Sequence, residues 1–442
     1  MGFETQETNP LNKNTGSVVD PFGSTIEVDD ATGVSPAETL DGLGRVAATT
    51  GGPSGPSQTV YDDAHNTVKE IDANGAVTIK VFDGSGNLAS LTDPVGNETR
   101  WLHDADNHAT KETDPSGGVK TWQYDTAGRL TVYKDQLGQE TDYGYYNDDR
   151  LYTETWKNAS GTTVNTVTYT YNAAGQMLTA VDNAGTVSRG YDTLGRLTSQ
   201  TDVWGDTVSY TWDAGNNLTK ITDSLGGTTT LVNDAVGNLT DRKFSDTASH
   251  ALSVKYQYDA ADQVTTITRY SDATETTSVG STNVGHDDAG RVTSINHVGI
   301  DAITYTYNIS DNTGRVATET STLGTAKTYT YDLAGQVTGD GTNTYTWDKN
   351  GNSTASGVTI TTGNRESTDG TWNYTYDAAG NDTQKQKIAS PNETWNYFYD
   401  NRNRLVKAEH KASSGGSVDK RILEGYDALG DRVSESDRKS VV

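Results

Sequence analysis

The sequence predicts an all-β fold of tandem β-hairpins that form one coiled, spiralling antiparallel sheet. Three observations carry this. A motif of about 21 residues returns nineteen times along the 442 residues. Apolar and polar residues alternate with a period of two before each motif, as in a strand with one packed face. No segment shows the i, i+3, i+4 apolar spacing of a long helix.

The register is set by Tyr124-Asp125-Thr126-Ala127-Gly128-Arg129-Leu130. It returns as Tyr191-Asp192 with Gly195-Arg196, Tyr331-Asp332 with Gly335, Tyr376-Asp377 with Gly380, and Tyr426-Asp427 with Gly430. The first slot falls at residues 19, 40, 61, 82, 103, 124, 146, 171, 191, 212, 233, 258, 286, 307, 331, 347, 376, 399 and 426. Eight of the eighteen spacings are 21, and the later ones range from 16 to 29. The array is therefore looser after residue 245.

Each element follows from local chemistry. The incoming strand alternates strictly, as in Val167-Thr-Tyr169-Thr-Tyr171 and Trp372-Asn-Tyr374-Thr-Tyr376, and Thr, Tyr, Val and Trp suit a pleated surface. The second slot is Asp in sixteen copies and Asn in three; both accept from backbone N–H groups two residues on and close an Asx turn. The fifth slot is Gly in twelve copies, and elsewhere Asn, Asp or His, with Arg150 the misfit. These types tolerate positive φ. A second short strand follows, ending in Asp-x-x-Gly turns at 72–75, 93–96, 114–117, 135–138, 182–185, 202–205 and 223–226. Nineteen hairpins make about 38 strands, a ribbon of roughly 180 Å at the usual strand separation. Twisted open sheets of that width must coil. Residues 1–18 are expected to be poorly ordered, 19–437 to form the array of about nineteen units, and 438–442 to be a tail.

Composition excludes several function classes. Lys+Arg is 34 and Asp+Glu is 60, giving a net charge of −26. A surface this acidic repels phosphate backbones and anionic membranes, so nucleic acid is not an expected partner. No apolar run reaches the length of a membrane-spanning helix, so no membrane insertion is expected. The first sixteen residues lack the apolar core of a signal peptide. With Cys at 0, disulfides, thiolate metal sites and cysteine nucleophiles are impossible. Leu, Ile, Val and Phe make up only about one residue in six, a disorder-like proportion that the repeat order overrides.

The consensus resembles the YD repeat of RHS proteins over about residues 19–437. In RHS proteins, TcC-like components of insecticidal toxin complexes, wall-associated RHS proteins and teneurins, such repeats form a spiralling β-shell. The resemblance implies a structural scaffold, a partial YD-repeat shell that encloses or presents a toxin or other cargo. It also implies a secreted or cell-surface location. The self-cleaving core domain of bacterial members has no matching residues here, so toxin and protease activities are not carried over. The alternative is an extracellular module that binds carbohydrate or another protein, with Trp101, Trp122, Trp204 and Trp212 as contact candidates. The expected partner is an enclosed toxin domain or a cell-surface ligand.

No catalytic residue, cofactor or metal ligand is expected. His103 and His108 could approach each other, but a third ligand is not evident. The aspartates read as turn formers, and no nucleophile-elbow G-x-S-x-G occurs. The signature residues Tyr124, Asp125, Gly128, Arg129, Tyr191, Asp192, Gly195, Arg196, Tyr331, Asp332, Gly335, Tyr376, Asp377, Gly380, Tyr426, Asp427 and Gly430 are expected to be structural.

Overall fold

The computed structural model describes residues 3–8, 14–19, 25–30 and 34–439. Among these residues there are forty strands and no helix. Strands from Phe3–Thr8 to Lys327–Thr328 belong to one sheet of thirty strands. Thr330–Tyr331 and Val337–Gly339 form a two-stranded sheet. Eight strands from Val358–Thr361 to Arg432–Lys439 form the last sheet. The registered pairs join neighbours in sequence and run antiparallel, for example Trp122 opposite Tyr133 and Tyr397 opposite Ala408. Strands Phe3–Thr8 and Asn14–Val19, the second reaching one residue past the stretch 1–18, pair antiparallel. The turn of the first copy at 20–24 and the residues 440–442 of the expected tail lie outside the described residues.

One turn design recurs. At the Tyr124 copy, Asp125 N–H donates to the Arg129 carbonyl at 2.9 Å and Gly128 N–H to the Asp125 carbonyl at 3.0 Å. Gly128 has φ +80°, and the register shifts between Gln123 and Tyr124. This is the three-residue hairpin loop, a type I turn closed by a left-handed residue and a bulge. Fifteen of the eighteen described copies carry positive φ at the expected fifth slot. The other three correct the sequence register. Asn66, not His65, is left-handed, because the turn carries one extra residue. Asp149, not Arg150, is left-handed, because this copy begins at Tyr145 and the Tyr-Tyr doublet conceals the start. In the copy at Tyr307, Asn312 and Gly314 take the left-handed positions within a longer loop that Asn308 and Arg315 close.

The chain divides into two compact units. One comprises Met1–Asp62, Val68–Thr78 and Tyr210–Gly351; the other comprises Asp63–Thr67, Ile79–Ser209 and Asn352–Val442. In the first unit, Asn312 Nδ2 donates to the Ser35 carbonyl at 2.9 Å and Asn74 Nδ2 to Asp332 Oδ2 at 2.9 Å. In the second, Asn364 Nδ2 donates to Asp93 Oδ2 at 3.1 Å and Asn401 Nδ2 to the Lys157 carbonyl at 2.9 Å. Hairpins separated by 244 to 277 residues thus meet inside each unit.

The apolar core is small. Only nine hydrophobic side chains are buried among the described residues. Five of them, Trp156, Val167, Tyr169, Ala180 and Ala428, cluster in the second unit. Polar ties at the turns therefore carry an unusual share of the cohesion. Alternation survives in the Tyr-rich strands, where Trp372, Tyr374 and Tyr376 are half-buried and the residues between them exposed. It is lost in Val77–Phe82, where all six residues are half-buried.

Candidate functional site

The signature residues assemble into one device that spans neighbouring repeats. Asp125 Oδ1 accepts from the N–H groups of Ala127 at 2.9 Å and Arg129 at 3.0 Å. Its Oδ2 accepts from Arg129 Nε at 2.7 Å. The guanidinium then lies over the ring of Tyr145, in the next copy, at 4.9 Å. The Tyr145 hydroxyl donates back to the Leu130 carbonyl at 2.6 Å, one residue beyond that arginine. Aspartate shapes the turn, arginine links turn to ring, and tyrosine clamps the preceding strand.

The other copies repeat it. Tyr124 donates to the Ala109 carbonyl, Tyr191 to Met177, Tyr331 to Val316, Tyr376 to Glu366 and Tyr426 to Leu405, all within 2.7–3.0 Å. Asp192 holds Arg196 Nε at 2.8 Å. Asp332 holds Gln336 Nε2 at 2.8 Å, and Asp377 holds Asn381 Nδ2 at 3.0 Å. Gly195, Gly335, Gly380 and Gly430 have φ of +84°, +88°, +91° and +95°. Arginine stacking recurs as Arg45 over Tyr61 at 3.9 Å, Arg291 over Tyr307 at 4.5 Å and Arg404 over Tyr426 at 4.5 Å. In the Tyr426 copy an aspartate, Asp431, replaces the arginine, and Asp427 is buried. The repeat periodicity shows that these residues recur; it does not show that arginine of one copy serves tyrosine of the next.

The electrostatics follow the geometry. The Arg129 guanidinium, and then its backbone N–H, hold the Asp125 carboxyl below the ordinary 3.8. For Asp192 the Arg196 backbone N–H leads and the guanidinium follows, in the same direction. The second unit also holds a buried polar knot. Glu154 accepts from Tyr169 Oη at 2.9 Å, Trp156 Nε1 at 3.3 Å and Arg402 Nη2 at 2.7 Å. Arg402 lies 4.7 Å from the Trp156 ring and donates to the Ala428 carbonyl at 3.1 Å. Burial, and then the Glu154 charge, push the Tyr169 hydroxyl up to about 12. Nothing in the repeat pattern marks Glu154 or Arg402.

The histidines fall differently from the expected pair. His108 sits with Asp104 and Asp106, their ligand atoms within 4.8 Å of one another. That Asp-x-Asp-x-His spacing within one turn was the available signal. His108 Nδ1 lies 3.3 Å from Asp104 Oδ2, and the ring stacks on Tyr124 at 4.6 Å, so His108 stands in for the usual arginine. His103 lies 3.8 Å from Asp83. Of the four candidate tryptophans, Trp204 is exposed, while Trp101, Trp122 and Trp212 are half-buried.

Residues 61–99, 82–119, 103–135 and 191–228 match the family model for the RHS Repeat. The chain carries RHS repeats over these residues. No match is found among curated proteins. Among solved structures, the RHS-repeat chain resembles the TcdB2-TccC3-Cdc42 crystal structure at 14% identity and a TM-score of 0.44, over 99% of this chain and 30% of that one. It resembles a Tc holotoxin pore of Photorhabdus luminescens at 14% identity and a TM-score of 0.43, over 100% of this chain and 30% of that one. The TcdB2-TccC3 crystal structure gives 14% and 0.43, over 100% and 31%. The RHS-repeat chain spans less than a third of each.

Proposed function

We propose that this RHS-repeat chain is a non-catalytic structural scaffold, a segment of a β-shell that encloses or presents a toxin or other cargo. The observation that supports this is how the signature is used. The aspartate carboxylates of the repeats are engaged in shaping the turns, and the tyrosine hydroxyls and arginine guanidinia in fastening one hairpin to the next. Such a sheet supplies wall, and a wall serves by containing something. The net charge of −26 favours a basic cargo, since complementary charge steers association. A secreted or cell-surface setting goes with this reading.

Small-angle scattering on the purified chain tests it. A wall that bounds space gives a radius of gyration well above the roughly 22 Å of a filled globule of this length. A value at the filled-globule limit would count against a container. The interaction-module alternative gains nothing from the four tryptophans, of which only Trp204 is exposed.

A further inference from the structure

The slot spacing stretches to 28 residues from Tyr258 to His286. Within that stretch a link, 271–277, joins strand Val264–Tyr270 to strand Ser278–His286 in the first unit. The link folds back over its own sheet. Glu275 Oε1 lies 2.6 Å from Lys243 Nζ, and Glu275 Oε2 pairs with Lys255 Nζ. Lys255 stands on the adjacent strand Ala251–Tyr258, and Lys243 on the one beyond it, Leu239–Ser245. Asp272 braces the link, accepting from Thr274 Oγ1 at 2.7 Å and from the backbone N–H groups of Thr276 at 3.0 Å and Thr277 at 2.8 Å.

Three features set this contact apart. Glu275 has φ +61°, a left-handed conformation that long side chains rarely take. Its carboxylate is only 10% exposed, and the ammonium groups of Lys243 and then Lys255 hold its pKa down to about 2. A chain of net charge −26 thus keeps here a point where negative charge is favoured. The third feature is Ser253, opposite Lys243 in register and two residues from Lys255 on the same face of the sheet. Ser253 is 1% exposed, and its hydroxyl has no hydrogen-bond partner among the described residues. A buried hydroxyl without a partner is costly. The two oxygens of Glu275 are both taken by lysines, so this third donor stays unused.

We propose that Lys243, Lys255 and Ser253 form a binding site for a phosphate group, which Glu275 fills as the chain's own stand-in until phosphate displaces it. Phosphate offers the two oxygens that Glu275 offers, a further oxygen for the Ser253 hydroxyl, and more negative charge for the two ammonium groups. Displacement also frees the Glu275 backbone from its left-handed conformation. Asp241 faces the same site, 3.8 Å from Lys255, and opposes any anion there, so affinity is set in the millimolar range. The link 271–277 is an internal competitor: the affinity observed from outside is the intrinsic one reduced by the fraction of chains in which Glu275 has let go. The inference is independent of the scaffold reading.

The test titrates the full chain with sodium phosphate by calorimetry, with sodium acetate as comparator. Sodium chloride at about 0.15 M screens the repulsion of distant carboxylates. Glu275→Gly removes the competitor and suits the positive φ. Saturable phosphate binding by this variant, about tenfold or more tighter than by the parent, is the expected result, with acetate weaker than phosphate. Adding Lys243→Met should abolish it. If Glu275→Gly melts early, Glu275→Gln decides, and the same tenfold gain is expected. The inference is overturned if phosphate saturates neither variant at millimolar concentration, or if parent and variants bind it equally. It is equally overturned if acetate binds as tightly as phosphate, or if Lys243→Met leaves the binding unchanged.

Discussion

At the scale of single residues, each signature side chain performs a separable task. The Tyr331 hydroxyl makes one bond, to the Val316 carbonyl at 2.7 Å, while its ring receives Arg315 at 5.5 Å. Tyr331→Phe keeps the ring and removes the bond. It is expected to cost about 1 kcal/mol, measured as a shift of the urea midpoint. Tyr331→Leu should cost more, because the stacked cation is lost as well. If the Phe and Leu variants prove equal, the arginine contact contributes nothing. Asp and Gly were legible in the sequence because their roles are set by Asx turns and positive φ, which act within five residues; Tyr was legible only as a recurring ring, since its hydroxyl bond reaches back to Val316 in the preceding copy. The Tyr145 copy misled for a local reason too, since Tyr146 occupies a slot where aspartate is usual.

At the scale of the hairpin, the left-handed glycine is the constraint hardest to replace. Gly175 has φ +83° and a Cβ there would meet nothing within 4 Å, so its substitution isolates backbone strain from crowding. Gly175→Ala should destabilise by roughly 1 kcal/mol, and Gly175→Asn by less, as copies with Asn107 and Asn216 at that slot already show is possible. Equal melting temperatures for the two variants would refute this ordering. Hairpin existence was plain from alternation and turn chemistry. The thinned ladder at 327–351 was not, because irregular spacing carries no period from which to infer pairing.

At the scale of the molecule, two predictions concern charge. Breaking the Glu154–Arg402 pair by Arg402→Met leaves a carboxylate with 12% side-chain exposure without its cation. The expected loss is about 2 kcal/mol, reduced from the fully buried case because Arg402 is 30% exposed. Adding Glu154→Gln should recover part of it; a double-mutant cycle showing no coupling would contradict this. The second prediction is acid sensitivity. Asp41, Asp125 and Asp192 have carboxyls held below 3.8, chiefly by the backbone N–H or guanidinium of Arg45, Arg129 and Arg196 respectively. Groups lowered on folding contribute stability that is complete above the ordinary aspartate range and vanishes as pH falls through the lowered values. Melting temperature should therefore drop between about pH 5 and about pH 2. If relief of the −26 charge dominated instead, acidification would first raise it. Contacts such as Asn312 with Ser35 were invisible in the sequence, because 277 residues separate partners that no period relates.

The tyrosine bond that reaches back to the preceding repeat gives the array a direction. A hairpin leaving the ribosome has its turn and both strands but lacks its fastener, which belongs to the tyrosine not yet synthesised. Zippering should therefore proceed from the N-terminus with a lag of about one hairpin. Stalled chains of increasing length should gain protease resistance in steps of one repeat, each trailing synthesis by the same interval.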